Sequence, residues 1–220
     1  MKTAFITGIS RGIGKAAALH FLQEGYQVFG TSTSGKTTIN NSACECLALS
    51  LDRPESIKSL VKYLTDSGKE IHVLVNNAAV LLENWSNPVV NMDYLRRTFA
   101  VNTIGTVELT EGLLPFLVPG QSHIVNISSG WGSFSEKGFG ANVPHYKMSK
   151  SALNMYTKLL AERLRPRGIG VYALDPGWVK SDMGTQAAER HPKEVAEEIL
   201  NLLDDKPSGH FWHRNQIRPW

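Results

Sequence analysis

Short apolar runs rich in β-branched residues alternate along this chain with longer segments of helical period, and that alternation constrains the architecture more than any other feature. Thr3–Thr7, Gln27–Thr31, Cys46–Ser50, His72–Asn76, His123–Ser128, Ile169–Leu174 and Gly209–Trp212 read as strands. Ile13–Glu24, Pro54–Asp66, Asn91–Phe116, Pro144–Arg165 and Pro192–Asp204 read as helices. Gly25 is placed to end the first helix, and Pro54, two residues after Asp52, to open the second. Parallel neighbours need crossovers, and right-handed crossovers stack helices on both faces. The pattern therefore predicts an α/β fold, a doubly wound parallel sheet of about seven strands. At 220 residues, 42% of them apolar, residues 1–220 are expected to form one domain with a sizeable core.

Charge and cysteine content narrow the function classes. The formal net charge of +3 is spread along the chain rather than gathered into a basic run, so no nucleic acid partner is expected. No stretch approaches the roughly 20 apolar residues of a membrane helix, so no membrane partner is expected either. Cys44 and Cys46 fall in one apolar stretch, where they are expected to point to opposite faces of a strand and not to bridge. No further cysteine completes a zinc site, and a reducing, cytoplasmic location is the expectation.

The residues that bear chemistry cluster at predicted strand ends. Thr7-Gly8-Ile9-Ser10-Arg11-Gly12-Ile13-Gly14 joins the first strand to the first helix, where glycines let backbone N–H groups approach a pyrophosphate and the helix N-terminus adds partial positive charge. A purely structural turn is the alternative. An acid about 20 residues further on would accept the ribose 2′-hydroxyl of NAD. None is present; Ser32, Thr33, Ser34 and Lys36 stand there instead, with Arg11 on the same side, a set that attracts a 2′-phosphate and favours NADP(H). Asn76-Asn77-Ala78-Ala79 ends the fourth strand, as scaffold or ligand contact, and Asn102 lies among apolar residues of the long helix. Ser128-Ser129-Gly130 ends the fifth strand. Tyr146 and Lys150 share one helix face four residues apart, which brings an ammonium near a phenol and would favour its anion for acid–base work.

TGISRGIG at 7–14, NNAA at 76–79, Val101-Asn102, NISS at 126–129, YKMSK at 146–150 and DPGWVKSDM at 175–183 follow the order and approximate spacing of the short-chain dehydrogenase/reductase family. Over essentially its whole length the chain resembles that family, and PGWVKSDM with the final strand ending in Arg218-Pro219-Trp220 looks like its NADP-dependent carbonyl-reductase branch. The resemblance implies a single Rossmann-type domain that binds NADP(H) and reduces a small-molecule ketone or aldehyde, or oxidises the alcohol in reverse. It implies Tyr146 as general acid/base, Lys150 as the residue that lowers its pKa and binds the nicotinamide ribose, Ser129 as the group that polarises the carbonyl, and Asn102 as a helix-bending residue holding a water in the proton relay. It places Gly8, Ser10, Arg11, Gly12, Ile13, Gly14 and Ala78 in the cofactor cradle, Asp52 at the adenine, Asn77 at the adenine ribose, and Pro176, Gly177, Val179 and Ser181 over the nicotinamide.

Three departures bear on substrate. The 17 residues from Ser129 to Tyr146 are more than is usual in the family, so Trp131–Val143 forms an enlarged loop. Thr33 stands where many NADP-dependent relatives have Arg, leaving Arg11 and the hydroxyls as the phosphate grip. The short stretch Met183–Pro192 suggests an open cleft, with Trp131, Phe134, Phe139, Trp178 and Met183 as candidate walls. Two rival readings are a non-catalytic NADP-binding sensor or scaffold and an epimerase or dehydratase on the same fold. The resemblance implies a homodimer through the helices containing Asn102 and Tyr146, with a monomer, as in some carbonyl-reducing members, the alternative.

Overall fold

The computed structural model describes all 220 residues. In chain order they form β1 (Thr3–Ile6), α1 (Gly12–Gln23), β2 (Gln27–Ser32), β3 (Cys44–Ala48), α2 (Pro54–Ser67), β4 (Val73–Asn76), α3 (Met92–Phe99), α4 (Thr106–Leu113), β5 (His123–Ile127), α5 (Pro144–Leu164), β6 (Gly170–Leu174), α6 (Pro192–Asn201), β7 (Phe211–His213) and β8 (Gln216–Arg218). The sheet order is β3-β2-β1-β4-β5-β6-β7-β8, parallel throughout except for the β7–β8 pair. Strand order reverses between β1 and β4, where ligands in doubly wound sheets approach the carboxyl ends of the strands.

Side chains alternate faces along each strand, and the core divides accordingly. Along β1, Ala4 and Ile6 join α1 and α6 in one apolar layer, whereas Phe5 joins α2, α4 and α5 in the other. The central strands are buried on both faces, which is why they read as continuous apolar runs.

Three expectations are corrected. An eighth strand closes the sheet edge through a hairpin whose two turn residues, Arg214 (φ 49) and Asn215 (φ 61), adopt the left-handed conformation of a primed turn without the usual Asn-Gly signature. The helix expected over Asn91–Phe116 is broken by a wider π turn at Ala100–Gly105 and ends in a 3-10 turn at Leu114–Phe116. Thr106 Oγ1 donates to the carbonyl five residues back, at Val101, and buried Asn102 is bonded to another loop instead of facing solvent. Cys44 and Cys46 lie two apart on β3 and so share a face, both packing on the α1 and α6 layer as free thiols. The second helix opens at Pro54 as expected, with Arg53 at its cap position and Asp52 accepting a hydrogen bond from Ser50. Gly25 does follow α1 with φ 78.

Candidate active site

The ends of β1, β2, β4, β5 and β6 open onto one cleft of about 800 Å³. Its β1 side is the glycine turn. Gly8 has φ +77, and a Cβ on Gly14 would lie 2.2 Å from the Gly8 carbonyl oxygen, so helix and turn meet too closely for a side chain. Asn77 holds this turn from β4, donating from Nδ2 to the Thr7 carbonyl at 2.8 Å, while Thr7 Oγ1 accepts the N–H groups of Asn77 and Ala78, both at 2.9 Å. Both asparagine readings are therefore compatible, since Asn77 scaffolds the turn and also lines the cleft.

The first turn of α1 has no side-chain cap, and no backbone acceptor takes the N–H groups of Arg11, Gly12 and Ile13, which line the cleft. Open amide donors at a helix N-terminus beside a glycine cradle fit a dinucleotide pyrophosphate. Arg11 reaches across the mouth to Asp182, Nη1 to Oδ2 3.1 Å, in an exposed pair. At the end of β2, Ser32 and Thr33 line the cleft but Ser34 and Lys36 do not. The Ser32 hydroxyl is engaged with Lys36, accepting from its N–H at 3.0 Å and donating to its carbonyl at 2.9 Å. The phosphate-binding set that reaches the cleft is thus smaller than expected: Thr33, and Arg11 in its exposed pair with Asp182. Asp52 lines the same end of the cleft, and Pro176, Gly177, Val179 and Ser181 line the opposite wall.

α5 carries the reactive pair. Tyr146 is 8% exposed and Lys150 2%, and Lys150 Nζ lies 5.6 Å from the phenol ring centroid while donating to the Ile127 carbonyl at 2.7 Å. Ser129, just after β5, accepts the Trp131 N–H and lies on the phenol's side of the cleft, where its hydroxyl favours the phenol's anion. Asn102 does not line the cleft. Its amide accepts the Val80 N–H at 2.8 Å and donates to the Val80 carbonyl and to Ser149, stitching the loop after β4 to α5.

Electrostatics correct one expectation. Burial pushes the Lys150 ammonium down to about 7. The Tyr146 phenol is pushed above the ordinary tyrosine range, first by burial, then by the Asp175 carboxylate, with the Ser129 hydrogen bond opposing and Glu83 adding to the rise. The resemblance implies that Lys150 acidifies Tyr146; here burial dominates both groups, raising the phenol and lowering the ammonium. The phenol therefore holds its proton at neutral pH, the state a proton donor needs.

The substrate side is aromatic. Trp131 meets Tyr146 edge-on at 6.2 Å, Trp85 meets Trp131 at 5.3 Å, and Trp85 touches Trp178 at 6.3 Å across the mouth. Trp131, Trp178 and Met183 are walls as expected, but Phe134 (86% exposed) and Phe139 (59%) do not line the cleft. The Trp85–Trp178 and Arg11–Asp182 contacts join residues of the cleft lining that come from different loops. The enlarged loop is pinned rather than free: Ser133 and Ser135 donate to the carbonyls of Pro219 and Trp220, and Arg218 pairs with both Glu136 and Asp175. Trp85 and this ion cluster went unseen because their partners are distant in sequence; only the tryptophan among small polar residues at 84–87 hinted at a binding loop.

Residues 2–192 match the family described as short chain dehydrogenase. Estradiol 17-beta-dehydrogenase 2 of Mus musculus is 26% identical over 227 residues, which cover 98% of this chain and 58% of that protein. The chain thus spans less than two thirds of the length of the first curated relatives it matches. Carbonyl reductase Sniffer of D. melanogaster superposes with a TM-score of 0.89 at 26% identity, covering 100% of both chains. An NADPH-bound carbonyl reductase from chicken fatty liver superposes with a TM-score of 0.91 at 25% identity, covering 100% of this chain and 94% of that one.

Proposed function

The chain belongs to the short-chain dehydrogenase family, and on that premise we propose that it reduces a ketone or aldehyde with NADPH, Tyr146 delivering the proton. The observation that carries the reading is the convergence of Ser129, Tyr146 and Lys150 on the cleft that also contains the uncapped glycine turn. The dinucleotide, when bound, supplies the hydride. The protein supplies the rest. Ser129 and Tyr146 present two hydroxyls to one carbonyl oxygen, and a phenol that burial keeps protonated can donate as charge develops there. Lys150, fixed by the Ile127 carbonyl, offers its other N–H donors beside the phenol and towards the cofactor ribose. Asn102 orders the helix behind them, and a water of the proton relay belongs to this proposal.

NADPH is preferred over NADH in this reading because Arg11 and Thr33, with no acid at the end of β2, suit a 2′-phosphate. The NADPH-bound avian carbonyl reductase supports the same choice. Trp131 against Tyr146, with Trp85 and Trp178 beyond it, favours a flat carbonyl compound, and Glu136 and Asp175, which share the single cation Arg218, disfavour an anionic one. We place the protein in a reducing compartment, the cytoplasm, on the strength of its two free thiols. No helix is long and apolar enough to cross a membrane. A homodimer completes the proposal, its face marked by exposed Ile104, Met155 and Leu159; light scattering reads the mass.

Following NADPH absorbance against a panel of aromatic and aliphatic ketones, aldehydes and quinones, with NADH alongside, tests the reading. Stoichiometric consumption with at least one carbonyl class is expected. Binding of NADPH without consumption across the panel would favour a sensor or scaffold, and turnover of substrate without net consumption an epimerase.

A further inference from the structure

The start of α5 is held by a single segment of the loop after β4. Glu83 accepts the Tyr146 N–H on Oε1 at 3.0 Å, and the Asn87 carbonyl accepts the Val143 N–H at 3.0 Å. The Trp85 carbonyl accepts from Asn142, and the Asn91 N–H donates to His145 Nε2 at 2.8 Å. Val143, directly before the helix, has φ 47, a left-handed conformation costly for a β-branched residue. That strain is held in place by these four bonds.

At the centre lies a pair of wholly buried side chains, His145 Nδ1 3.0 Å from Glu83 Oε1. Because Nε2 accepts from Asn91, the neutral imidazole carries its hydrogen on Nδ1, facing the carboxylate. Nδ1 is not aligned for a good hydrogen bond, and Glu83 Oε2 has no donor at all. Capping α5 requires only one acceptor, which a neutral amide would provide without burying an unsatisfied charged oxygen. The carboxylate is therefore more than the cap demands.

We propose that Glu83, backed by His145, is a positioning residue for the proton donor: it fixes the backbone of Tyr146 and places a negative charge at the N-terminus of the helix that carries the phenol. This rests on the reading of Tyr146 as acid/base. A helix N-terminus stabilises nearby anions, including a phenolate; the Glu83 carboxylate cancels that influence and keeps the proton on the phenol. The other groups around Tyr146 are Lys150 one turn along α5, Ser129 after β5, and Asp175 after β6 with Arg218 and His213 beside it. Glu136 is tied to the same Arg218. Asp175 works in the same direction as Glu83 and with the larger influence, but it sits across the cleft on Arg218, whereas Glu83 is bonded to the Tyr146 backbone and faces an imidazole whose second nitrogen is already occupied as an acceptor.

Two variants test this by amide hydrogen exchange and by pH–rate profiles. Glu83→Gln keeps an acceptor and removes the charge; Glu83→Ala removes both. Exchange of the Tyr146 amide in cofactor-free protein is expected to stay slow in Glu83→Gln and to accelerate at least about tenfold in Glu83→Ala. In alcohol oxidation, where Tyr146 must be deprotonated, the acid limb of kcat/KM in Glu83→Gln is expected to move down by about half a pH unit or more, with melting temperature equal or higher. Unchanged exchange in Glu83→Ala, or a Glu83→Gln profile superimposed on wild type, overturns the proposal. Should Glu83→Ala not fold, fast Tyr146 exchange or an unmoved profile in Glu83→Gln overturns it equally. If wild type turns over no carbonyl or alcohol, the acid/base reading fails, while the exchange result still decides whether Glu83 holds the helix.

Discussion

Raising the pH above neutrality should stabilise the cofactor-free protein, and Lys150 is the reason. It is 2% exposed, and burial pushes its ammonium from 10.5 down to about 7. In the unfolded chain the same lysine keeps its proton to its ordinary value, so between these two limits the unfolded state binds more protons and stability rises with pH. Integrated from pH 7 to 9, this amounts to about 2 kcal/mol, or about 4–8 °C in Tm for a chain of this size. Tyr146 shifts the other way, but only above the ordinary tyrosine range, outside this window. Urea unfolding at pH 7, 8 and 9, on wild type and Lys150→Met, isolates the effect, because the N-terminal amine and other shared groups cancel between the two. Lys150→Met should lose the upward slope. Parallel slopes would show that Lys150 is not held in a desolvated site, and the picture of a weakened ammonium beside the phenol would fail.

Trp85→Ala should lower the ratio of kcat/KM for aromatic over aliphatic carbonyls by at least about tenfold, read on matched ketone pairs. Arg11→Ala should weaken NADPH binding more than NADH binding, by about 1 kcal/mol or more in titrations by fluorescence, and flatten the salt dependence. Arg218→Ala leaves the Glu136 and Asp175 carboxylates without their shared cation, so a loss of about 2 kcal/mol or more in urea unfolding is expected, with the loop at 131–143 more open to limited proteolysis.

The layered sheet was legible because parallel strands covered on both faces must be apolar nearly throughout, and β1, β4, β5 and β6 are. Ser129, Tyr146 and Lys150 were legible because chemistry gathers at strand ends and a four-residue helical spacing is local. β8 was not: its one apolar residue, Ile217, is half exposed, and its turn reaches left-handed geometry through Arg214 and Asn215. The π turn was hidden for another reason. Asn102 looks like an ordinary polar residue until Val80, 22 positions earlier, meets its amide. Glu83 and Tyr146 are 63 positions apart, and the Arg218 cluster joins three separate loops, so no local period announces either. The direction of the Tyr146 shift is not legible in the spacing, which reveals the neighbouring cation but not the desolvation of both groups.

Tyr146→Phe offers the most direct test, since it removes one hydroxyl and leaves the ring packed against Trp131. NADPH affinity should stay within about threefold of wild type, while carbonyl-dependent NADPH consumption falls by about a hundredfold or more. Near-normal consumption by the phenylalanine variant would contradict the assignment of Tyr146 as the proton donor.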